Sequence, residues 1–403
     1  MSHRAAPNAL TPTPDEYEHL QAVQTSLAQQ VRERDGFMPF DDWMAHALYA
    51  PGQGYYAVGT SKLGAQVGTG DFTTAPEMTP LFGQALAGQV AQILAGSQSD
   101  EILEFGAGTG ALAAALIPAL RLLGIEPRYR ILEVSADLRL RQQNKLEALQ
   151  ADILWLDALP EAFEGCVLAN EVLDAMPVTL FRWDEDGQLN EVGVTLAQPD
   201  EIRFAPDLPP SPFQFTERAA DGHLIDSISR RMPPLPAYRS EVNFQAESWV
   251  RQMGSWLRKG AALLIDYGFP QHEYYHPQRM EGTLMCHFRH HAHAHPLVLA
   301  GLQDITAHVD FTAMAQAAQD GGLEVLGYTS QARFLMNAGL TELLTQIDPS
   351  DTAAYSRMIG PVQRLLSEAE MGELFKVMAI GRGISAPLMG FLRGDRRARL
   401  EHV

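Results

Sequence analysis

The sequence contains only two cysteines in 403 residues, Cys166 and Cys286. They lie far apart and neither belongs to a paired metal-ligand spacing, so the sequence predicts neither a disulfide framework nor a zinc site. This usage is typical of a reducing compartment, and we expect the protein to be cytoplasmic. No stretch approaches the roughly 20 apolar residues that a membrane-spanning helix needs. The first 30 residues include Asp15, Glu16 and Glu18 and no unbroken apolar run, which argues against a targeting peptide.

Basic residues are also scarce. Lys and Arg number 30 against 49 Asp and Glu, which gives a formal net charge of -19 at pH 7. Such a surface repels a phosphate backbone, so the sequence predicts no nucleic-acid partner. It would attract a cationic substrate, although charge of this size also serves solubility. Whether the chain forms a homodimer stays open.

Changes in composition and periodicity divide the chain into five regions. They are a disordered N-terminus (1–15), a helical segment with a long ordered loop (16–95), an α/β core (96–183 and 246–385), an inserted region that shapes a substrate site (184–245) and a C-terminal tail (386–403). Within the core, short apolar runs alternate with helical patterns, as at 102–105, 111–123 and 129–134. This alternation is typical of a parallel sheet with helices on both faces.

The strongest local signal is the stretch 104–110, which reads EFGAGTG between a strand pattern and a helical pattern. Gly106, Gly108 and Gly110 allow the backbone to approach a ligand closely at the end of a strand. The same glycines also satisfy a loose dinucleotide-binding pattern. By themselves they leave two cofactors open, S-adenosylmethionine and NAD.

Carboxylates near this turn favour S-adenosylmethionine. Glu104 lies two residues before the first glycine, where it can receive the ammonium group of that cofactor but would repel a pyrophosphate. Its alternative is a helix-capping or solvated carboxylate. Glu133 ends the second predicted strand, where a carboxylate can accept both ribose hydroxyls of either cofactor. Asp157 ends the third strand and either meets the adenine amino group or only forms a turn.

Polar residues follow the fourth predicted strand at 166–169. Asn170, Glu171 and Asp174 would lie in the crevice beyond the strand ends, where ligands bind in open parallel sheets. They could hold or deprotonate a nitrogen nucleophile near the methyl donor, and paired carboxylates suit a guanidinium group. The alternative is that Asn170 and Asp174 only cap the next helix.

Two further segments carry candidate groups. Asp266 and Tyr267 close the strand pattern at 261–265 and are expected to reach the same crevice, unless Asp266 is a turn residue. His308 stands near two carboxylates before a helical pattern and is a conceivable general base. Its alternative is a buried histidine beside a helix-capping aspartate. The histidines of 287–295 lack an interleaved carboxylate or cysteine, so we expect no metal site there.

In these segments the chain resembles the MidA family, the bacterial relatives of the complex I assembly-factor protein-arginine methyltransferases of mitochondria. The matching motifs, in family order, are Gly54-Tyr55-Tyr56, residues 70–77 (GDFTTAPE) with Phe82-Gly83, residues 104–110, residues 170–177 (NEVLDAMP), Asp266-Tyr267-Gly268 and residues 303–311 (QDITAHVDF). They run through nearly the whole chain.

The resemblance implies a class I methyltransferase fold, which is Rossmann-like, with a mostly parallel seven-stranded sheet and helices on both faces. Residues 96–183 and 246–385 would be its methyltransferase core. S-adenosylmethionine would bind at the glycine turn. The loop at Thr73, Pro76 and Glu77 would close over the cofactor and join its site.

The sequence therefore predicts a methyltransferase that uses S-adenosylmethionine and modifies an arginine of a partner protein. Its expected catalytic residues are Glu171, Asp174, Asp266 and His308, with Asn170 beside the cofactor. Two alternatives stay open: an assembly factor that binds the cofactor without turnover, and an NAD-dependent dehydrogenase. The mitochondrial substrate need not carry over, because the chain shows no organelle signal.

Overall fold

The computed structural model describes residues 10–58, 74–198, 208–346 and 352–401. The chain forms two compact units, each assembled from separate stretches of sequence. The first contains the described parts of Met1–Phe72, Ala175–Gln245 and Tyr275–Ala307, and the second those of Thr73–Asp174, Ala246–Tyr274 and His308–Val403. Most of the N-terminus predicted to be disordered and most of the predicted covering loop, Thr73 included, lie outside the described residues.

The described residues form both α-helices and β-strands, numbered separately in chain order. The helices are α1 (Pro14–Glu33), α2 (Phe40–Tyr49), α3 (Ala75–Met78), α4 (Pro80–Ser97), α5 (Ala111–Leu122), α6 (Ala136–Leu146), α7 (Gly222–Ser229), α8 (Phe244–Trp256), α9 (Gln271–Tyr274), α10 (Phe311–Asp320), α11 (Gln331–Asn337), α12 (Leu340–Thr345), α13 (Thr352–Leu366) and α14 (Met371–Leu374). The strands are β1 (Met38–Pro39), β2 (Glu101–Phe105), β3 (Arg128–Leu132), β4 (Ile153–Leu156), β5 (Phe163–Asn170), β6 (Thr179–Trp183), β7 (Leu189–Leu196), β8 (Phe213–Ala219), β9 (Arg239–Val242), β10 (Leu257–Phe269), β11 (Met285–Phe288), β12 (His291–His293), β13 (Asp304–Thr306), β14 (Val309–Asp310), β15 (Glu324–Ser330) and β16 (Phe375–Arg382). None of the described helices is long and apolar enough to cross a membrane.

The first unit is built on an antiparallel sheet in the order β1-β7-β6-β9, with β8 also paired to β7. Helix α1 begins at a capping box between Thr13 and Glu16, and its buried Val23 and Leu27 lie one turn apart. A small sheet in the order β12-β11-β13 belongs to the same unit. The N-terminal segment, the inserted region and residues 275–307 therefore share one unit, a grouping that the sequence does not predict.

The second unit contains a sheet in the order β15-β16-β10-β5-β2-β3-β4, with the short β14 beside β10. Strands β10, β5, β2, β3 and β4 pair in parallel. Strand β16 enters between β10 and β15 and runs antiparallel to both. The predicted α/β fold is confirmed. The sheet, predicted to be mostly parallel, is mixed, because β16 runs antiparallel to both of its neighbours.

Helices pack on both faces of this sheet. Ile102 of β2 lies in one hydrophobic cluster with Phe82 of α4 and Leu112 of α5. Phe105 of the same strand packs edge-on against Trp249 of α8, with ring centroids 4.9 Å apart. Since residues at odd spacing in a strand point to opposite faces, α8 covers the face opposite α4 and α5. The carboxyl ends of the parallel strands meet at one edge of the sheet, and the candidate site lies there.

Candidate functional site

The glycine turn joins the end of β2 to the beginning of α5. Gly106, Gly108 and Gly110 have φ values of +60°, +54° and +78°, in the left-handed region that favours glycine. A Cβ added to Gly108 would meet no atom within 4 Å, whereas one added to Gly106 would lie 3.3 Å from Cγ2 of Val172. The turn thus exposes backbone without side chains on its Gly108 side, as close approach of a ligand requires.

Glu104 lies in β2 with only 3% of its surface exposed. The hydroxyl of Tyr129 on the neighbouring β3 donates a hydrogen bond to Glu104 Oε2 at 2.8 Å. Burial, with a smaller contribution from the negative charge of Glu133, raises the pKa of Glu104 to about 7. The alternative of a solvated or capping carboxylate is therefore wrong. Its role as acceptor of an ammonium group stays a prediction.

Glu133 directly follows β3 and is tied to the glycine turn through Gln142 of α6. Glu133 Oε1 accepts a hydrogen bond from the Ser135 backbone at 2.9 Å, and Glu133 Oε2 accepts one from Gln142 Nε2 at 3.0 Å. Gln142 Nε2 also donates to the carbonyl of Gly108 at 2.9 Å. The structure thus brings Glu133 beside the turn, as a ribose-binding carboxylate would require.

Asp157 follows β4, and its side chain is 86% exposed. Arg139 of α6 forms a salt bridge with Asp157 Oδ1 at 2.6 Å. The carboxylate is thus engaged by a cation at the surface. Its proposed contact with an adenine amino group stays a prediction.

Pro76 and Glu77 belong to α3, a single turn. The Thr74 backbone N–H donates to Glu77 Oε2 at 3.4 Å. The Ala75 backbone N–H donates to the carboxylate of Glu171. The beginning of α3 therefore reaches the carboxylates at the end of β5, which is where a cofactor-covering loop would have to lead.

The end of β5 carries Asn170 and Glu171. Asn170 Nδ2 donates to Glu171 Oε1 at 3.1 Å, and the Glu171 backbone N–H donates to the carbonyl of Ile265 in β10 at 2.9 Å. Asn170 Oδ1 is buried and accepts no hydrogen bond within the described part of the chain. A buried acceptor of this kind suits an incoming donor. Because the next element is β6 and not a helix, the helix-capping alternative for Asn170 is wrong.

Asp266 and Asp174 meet where β10 and β5 run side by side. Asp266 Oδ2 accepts hydrogen bonds from the backbone N–H groups of Leu173 and Asp174, at 3.0 and 3.3 Å. The hydroxyl of Tyr267 donates to Asp174 Oδ2 at 2.5 Å. Asp266 lies inside β10 and is almost fully buried, so it is not a turn residue.

Three carboxyl groups therefore share one desolvated cluster. Burial, together with the charge of Asp174, raises the pKa of Glu171 to about 8. Burial also raises the pKa of Asp266 well above its usual value, with added repulsion from Asp174 and Glu171. Like charges this close cannot all be ionised at neutral pH, so the cluster is able to take up a cation or a proton.

His308 lies among aromatic rings next to the carboxyl cluster, and we call these rings the aromatic side of the cluster. Its ring stacks on Phe269, with centroids 5.3 Å apart and planes inclined by 5°, and meets Tyr267 edge-on at 5.0 Å. Asp310 accepts hydrogen bonds from the first backbone N–H groups of α10 and so caps that helix. Tyr267 thus links His308 to Asp174, and Asp174 lies close to Asp266 and Glu171, so the four predicted catalytic residues share one site. In the part of the chain that the structure describes, no group of His, Cys, Asp and Glu is arranged to hold a metal ion.

Two site residues, Tyr129 and Gln142, could not be singled out from the sequence. Tyr129 lies in a strand pattern, where a buried tyrosine is ordinary. Gln142 leaves a faint signal, since it stands four residues after Leu138 and four before Leu146, on the stripe that α6 turns inward. A polar residue on such a stripe needs a buried partner.

The fold and the site define a class of protein. A glycine-rich turn after one parallel strand, followed by a carboxylate after the next, is the arrangement with which α/β proteins bind a nucleoside cofactor at the strand ends. The chain belongs to the family of S-adenosyl-L-methionine-dependent methyltransferases, whose model matches residues 85–329. The predicted resemblance to MidA-like proteins is confirmed, and the cofactor is S-adenosyl-L-methionine rather than NAD.

Relatives support this assignment along most of the chain. A Burkholderia thailandensis protein, whose crystal structure contains bound S-adenosyl-homocysteine, is 46% identical with a TM-score of 0.88, over 96% of this chain and 99% of that one. The zebrafish (Danio rerio) protein arginine methyltransferase NDUFAF7 is 28% identical over 84% of this chain and 82% of its own. The Drosophila melanogaster homologue is 26% identical over 91% of this chain and 88% of its own.

The residues present fit this cofactor. The open side of Gly108 leaves room for a ligand next to the backbone, and Asn170 Oδ1 offers a buried acceptor. Glu133 presents a carboxylate at the end of the strand next to the turn. These three features match a ligand that carries hydroxyl and ammonium donors.

Proposed function

We propose that this methyltransferase transfers methyl groups to an arginine of a partner protein. The observation that carries the proposal is the carboxyl cluster of Glu171, Asp174 and Asp266, which lies where β5 ends beside the parallel strand β10. A guanidinium group has five N–H donors in a planar fork, which pairs with carboxylates better than any other side chain does.

Electrostatics favour a cationic acceptor at this cluster. Burial and mutual repulsion raise the pKa of Glu171 and of Asp266, so the free cluster holds protons at neutral pH. An entering guanidinium would bring a positive charge next to the carboxyl groups, which favours their ionised form. A neutral acceptor would leave the repulsion in place.

The aromatic side of the cluster suits the same group. Tyr267, His308 and Phe269 form a contiguous set of rings beside Asp174. Guanidinium planes stack on aromatic faces, and such contacts are worth about 0.5–2 kcal/mol. The names of the relatives give independent support, since the zebrafish and fly proteins are protein arginine methyltransferases.

In this proposal Gly108, Glu133 and Asn170 hold the cofactor, with Glu104 behind the turn. S-adenosylmethionine, when bound, supplies an electrophilic methyl group. The carboxylates orient one guanidinium nitrogen toward it, so that a nitrogen–carbon bond forms as the carbon–sulfur bond breaks. The proton lost from that nitrogen passes to a carboxylate of the cluster, with Glu171 the group whose raised pKa best suits a proton acceptor.

The test combines methyl transfer with mass spectrometry. The purified full chain is incubated with methyl-labelled S-adenosylmethionine and an extract of cells that lack the protein, and labelled proteins are digested to find the modified residue. We expect a protein labelled on arginine. Glu171→Gln should strongly reduce the label, whereas Glu164→Gln, a change at an exposed position of β5, should not.

Two results would overturn the proposal. Label on a residue other than arginine would refute the acceptor while leaving a methyltransferase. Cofactor binding without any labelled protein would favour an assembly factor that binds the cofactor without turnover. The expected cytoplasmic location is part of the same proposal, and fractionation of the source cells tests it.

A further inference from the structure

We infer that Gln142 is a positioning residue of the cofactor site, which orients Glu133 toward the ribose and anchors the glycine turn through the Gly108 carbonyl. The inference rests on the proposed placement of the cofactor at the glycine turn and does not depend on the acceptor. The side chain lies on α6, outside every motif that the sequence singles out.

The carboxamide of Gln142 makes three hydrogen bonds to three different elements. Nε2 donates to the Gly108 carbonyl at 2.9 Å and to Glu133 Oε2 at 3.0 Å. Oε1 accepts from the indole Nε1 of Trp155 in β4 at 2.8 Å. One amide therefore joins the glycine turn, the end of β3 and strand β4.

The orientation of this amide is determined by its partners. An indole N–H can only donate and a carbonyl can only accept, so Trp155 must face the amide oxygen and Gly108 the amide nitrogen. Gln142 is 0% exposed, and its two N–H groups and its oxygen are all used. A rotated amide would leave buried groups without partners, which the interior strongly disfavours.

This fixed amide in turn fixes the carboxylate of Glu133. Gln142 holds Oε2 and the Ser135 backbone N–H holds Oε1, which sets the plane of the carboxylate. A carboxylate has about four acceptor sites, so Glu133 keeps acceptor capacity for a ribose hydroxyl beside these contacts and that of the Val134 backbone. Without Gln142 the carboxylate would lose its only side-chain anchor among the described residues and turn away from that geometry.

The test measures binding of S-adenosyl-homocysteine and of its 2′-deoxyribose analogue by calorimetry. In the wild type we expect the missing hydroxyl to weaken binding about tenfold. Gln142→Met keeps the side-chain volume and removes the amide. In this variant we expect binding of S-adenosyl-homocysteine to weaken about tenfold, and we expect its affinity to differ from that of the 2′-deoxyribose analogue by less than about twofold. Gln142→Glu, which retains the acceptor for Trp155, should also lose the discrimination.

The matched control is Gln143→Glu, the same change at the exposed neighbour on α6, which should bind both ligands as the wild type does. Thermal unfolding identifies variants that fail to fold. If Gln142→Met bound both ligands more weakly by the same factor, so that the roughly tenfold preference for S-adenosyl-homocysteine remained, the role of Gln142 would be merely structural. That result would overturn the inference. If the wild type fails to bind, or does not discriminate, the placement of the cofactor fails instead and the inference with it.

Discussion

The hydroxyl of Tyr267 donates a hydrogen bond to Asp174 Oδ2 at 2.5 Å, which joins the ends of β10 and β5. Tyr267 is also the residue that His308 contacts edge-on. One tyrosine therefore connects the carboxyl cluster with its aromatic side. The carboxyl groups and the aromatic rings therefore belong to one site, because Tyr267 contacts both.

Removing that hydroxyl should impair methyl transfer more than cofactor binding. Hydrogen bonds to charged groups contribute about 1.5–3 kcal/mol, so Tyr267→Phe should lower kcat/KM about ten- to 100-fold. Affinity for S-adenosyl-homocysteine should stay within about twofold, because the glycine turn is untouched. Tyr275→Phe removes another buried hydroxyl, which donates to the Glu241 carbonyl in the first unit, and serves as the control. An equal loss of activity in both variants would refute a specific role for Tyr267.

The raised pKa of Glu171 predicts a pH dependence. Its carboxyl is protonated below about pH 8 in the free enzyme and ionises as the pH rises. If the ionised form receives the acceptor, kcat/KM for a substrate peptide should rise with pH through this region. Glu171→Gln should remove this titration and leave a low, flat profile, while Glu164→Gln keeps the wild-type profile. A rising profile that survives in Glu171→Gln would assign the titration to another group.

The glycine turn predicts the effect of a side chain at its first position. Gly106→Val combines a positive φ with a contact to Val172, and the branched side chain also fills space on the turn. We expect no detectable binding of S-adenosylmethionine by calorimetry. Gly124→Val is the matched control, because Gly124 also has a positive φ but an added Cβ there meets no atom within 4 Å. Unchanged affinity in a folded Gly106→Val protein would contradict the proposed site.

The raised pKa of Glu104 predicts that the free energy of unfolding changes with pH. Its pKa is about 7 in the folded protein against an ordinary value of 4.5, so burial disfavours the ionised form. The penalty is absent below about pH 4.5 and complete above about pH 7, where it amounts to about 3 kcal/mol. Glu104→Gln should therefore gain stability relative to wild type as the pH rises from 5 to 8. Denaturant unfolding measures the difference, and a constant difference across this range would refute the assignment.

The local patterns around the turn could be predicted because they depend on short stretches of sequence. The strand before Gly106, the helix after Gly110 and the polar residues after β5 all follow from periodicity and from glycine spacing. The approach of Asp266 to the residues after β5 follows from the rule that the carboxyl ends of parallel strands lie at the same edge, although β10 continues beyond Asp266. These features require no knowledge of how the helices pack.

Other features depend on contacts between distant residues. Strand β1 has two residues, too few for any periodicity, so its pairing with β7 could not be predicted. The direction of β16 depends on the path of the chain through α11 to α14, which composition does not encode. Gln142 and Tyr129 acquire their roles only when α6 and β3 lie beside the turn. Arg139 likewise reaches Asp157 only through the packing of α6.

Glu171 has a φ of +53°, a conformation that glycine adopts without cost and that other residues adopt at about 1 kcal/mol or more. A glycine at this position would therefore relax the backbone but delete the carboxylate. Under the proposed role of Glu171, the substitution that most relaxes the backbone is also the one that removes the proton acceptor. Engineering that ranks substitutions by thermostability alone would then select against methyl transfer.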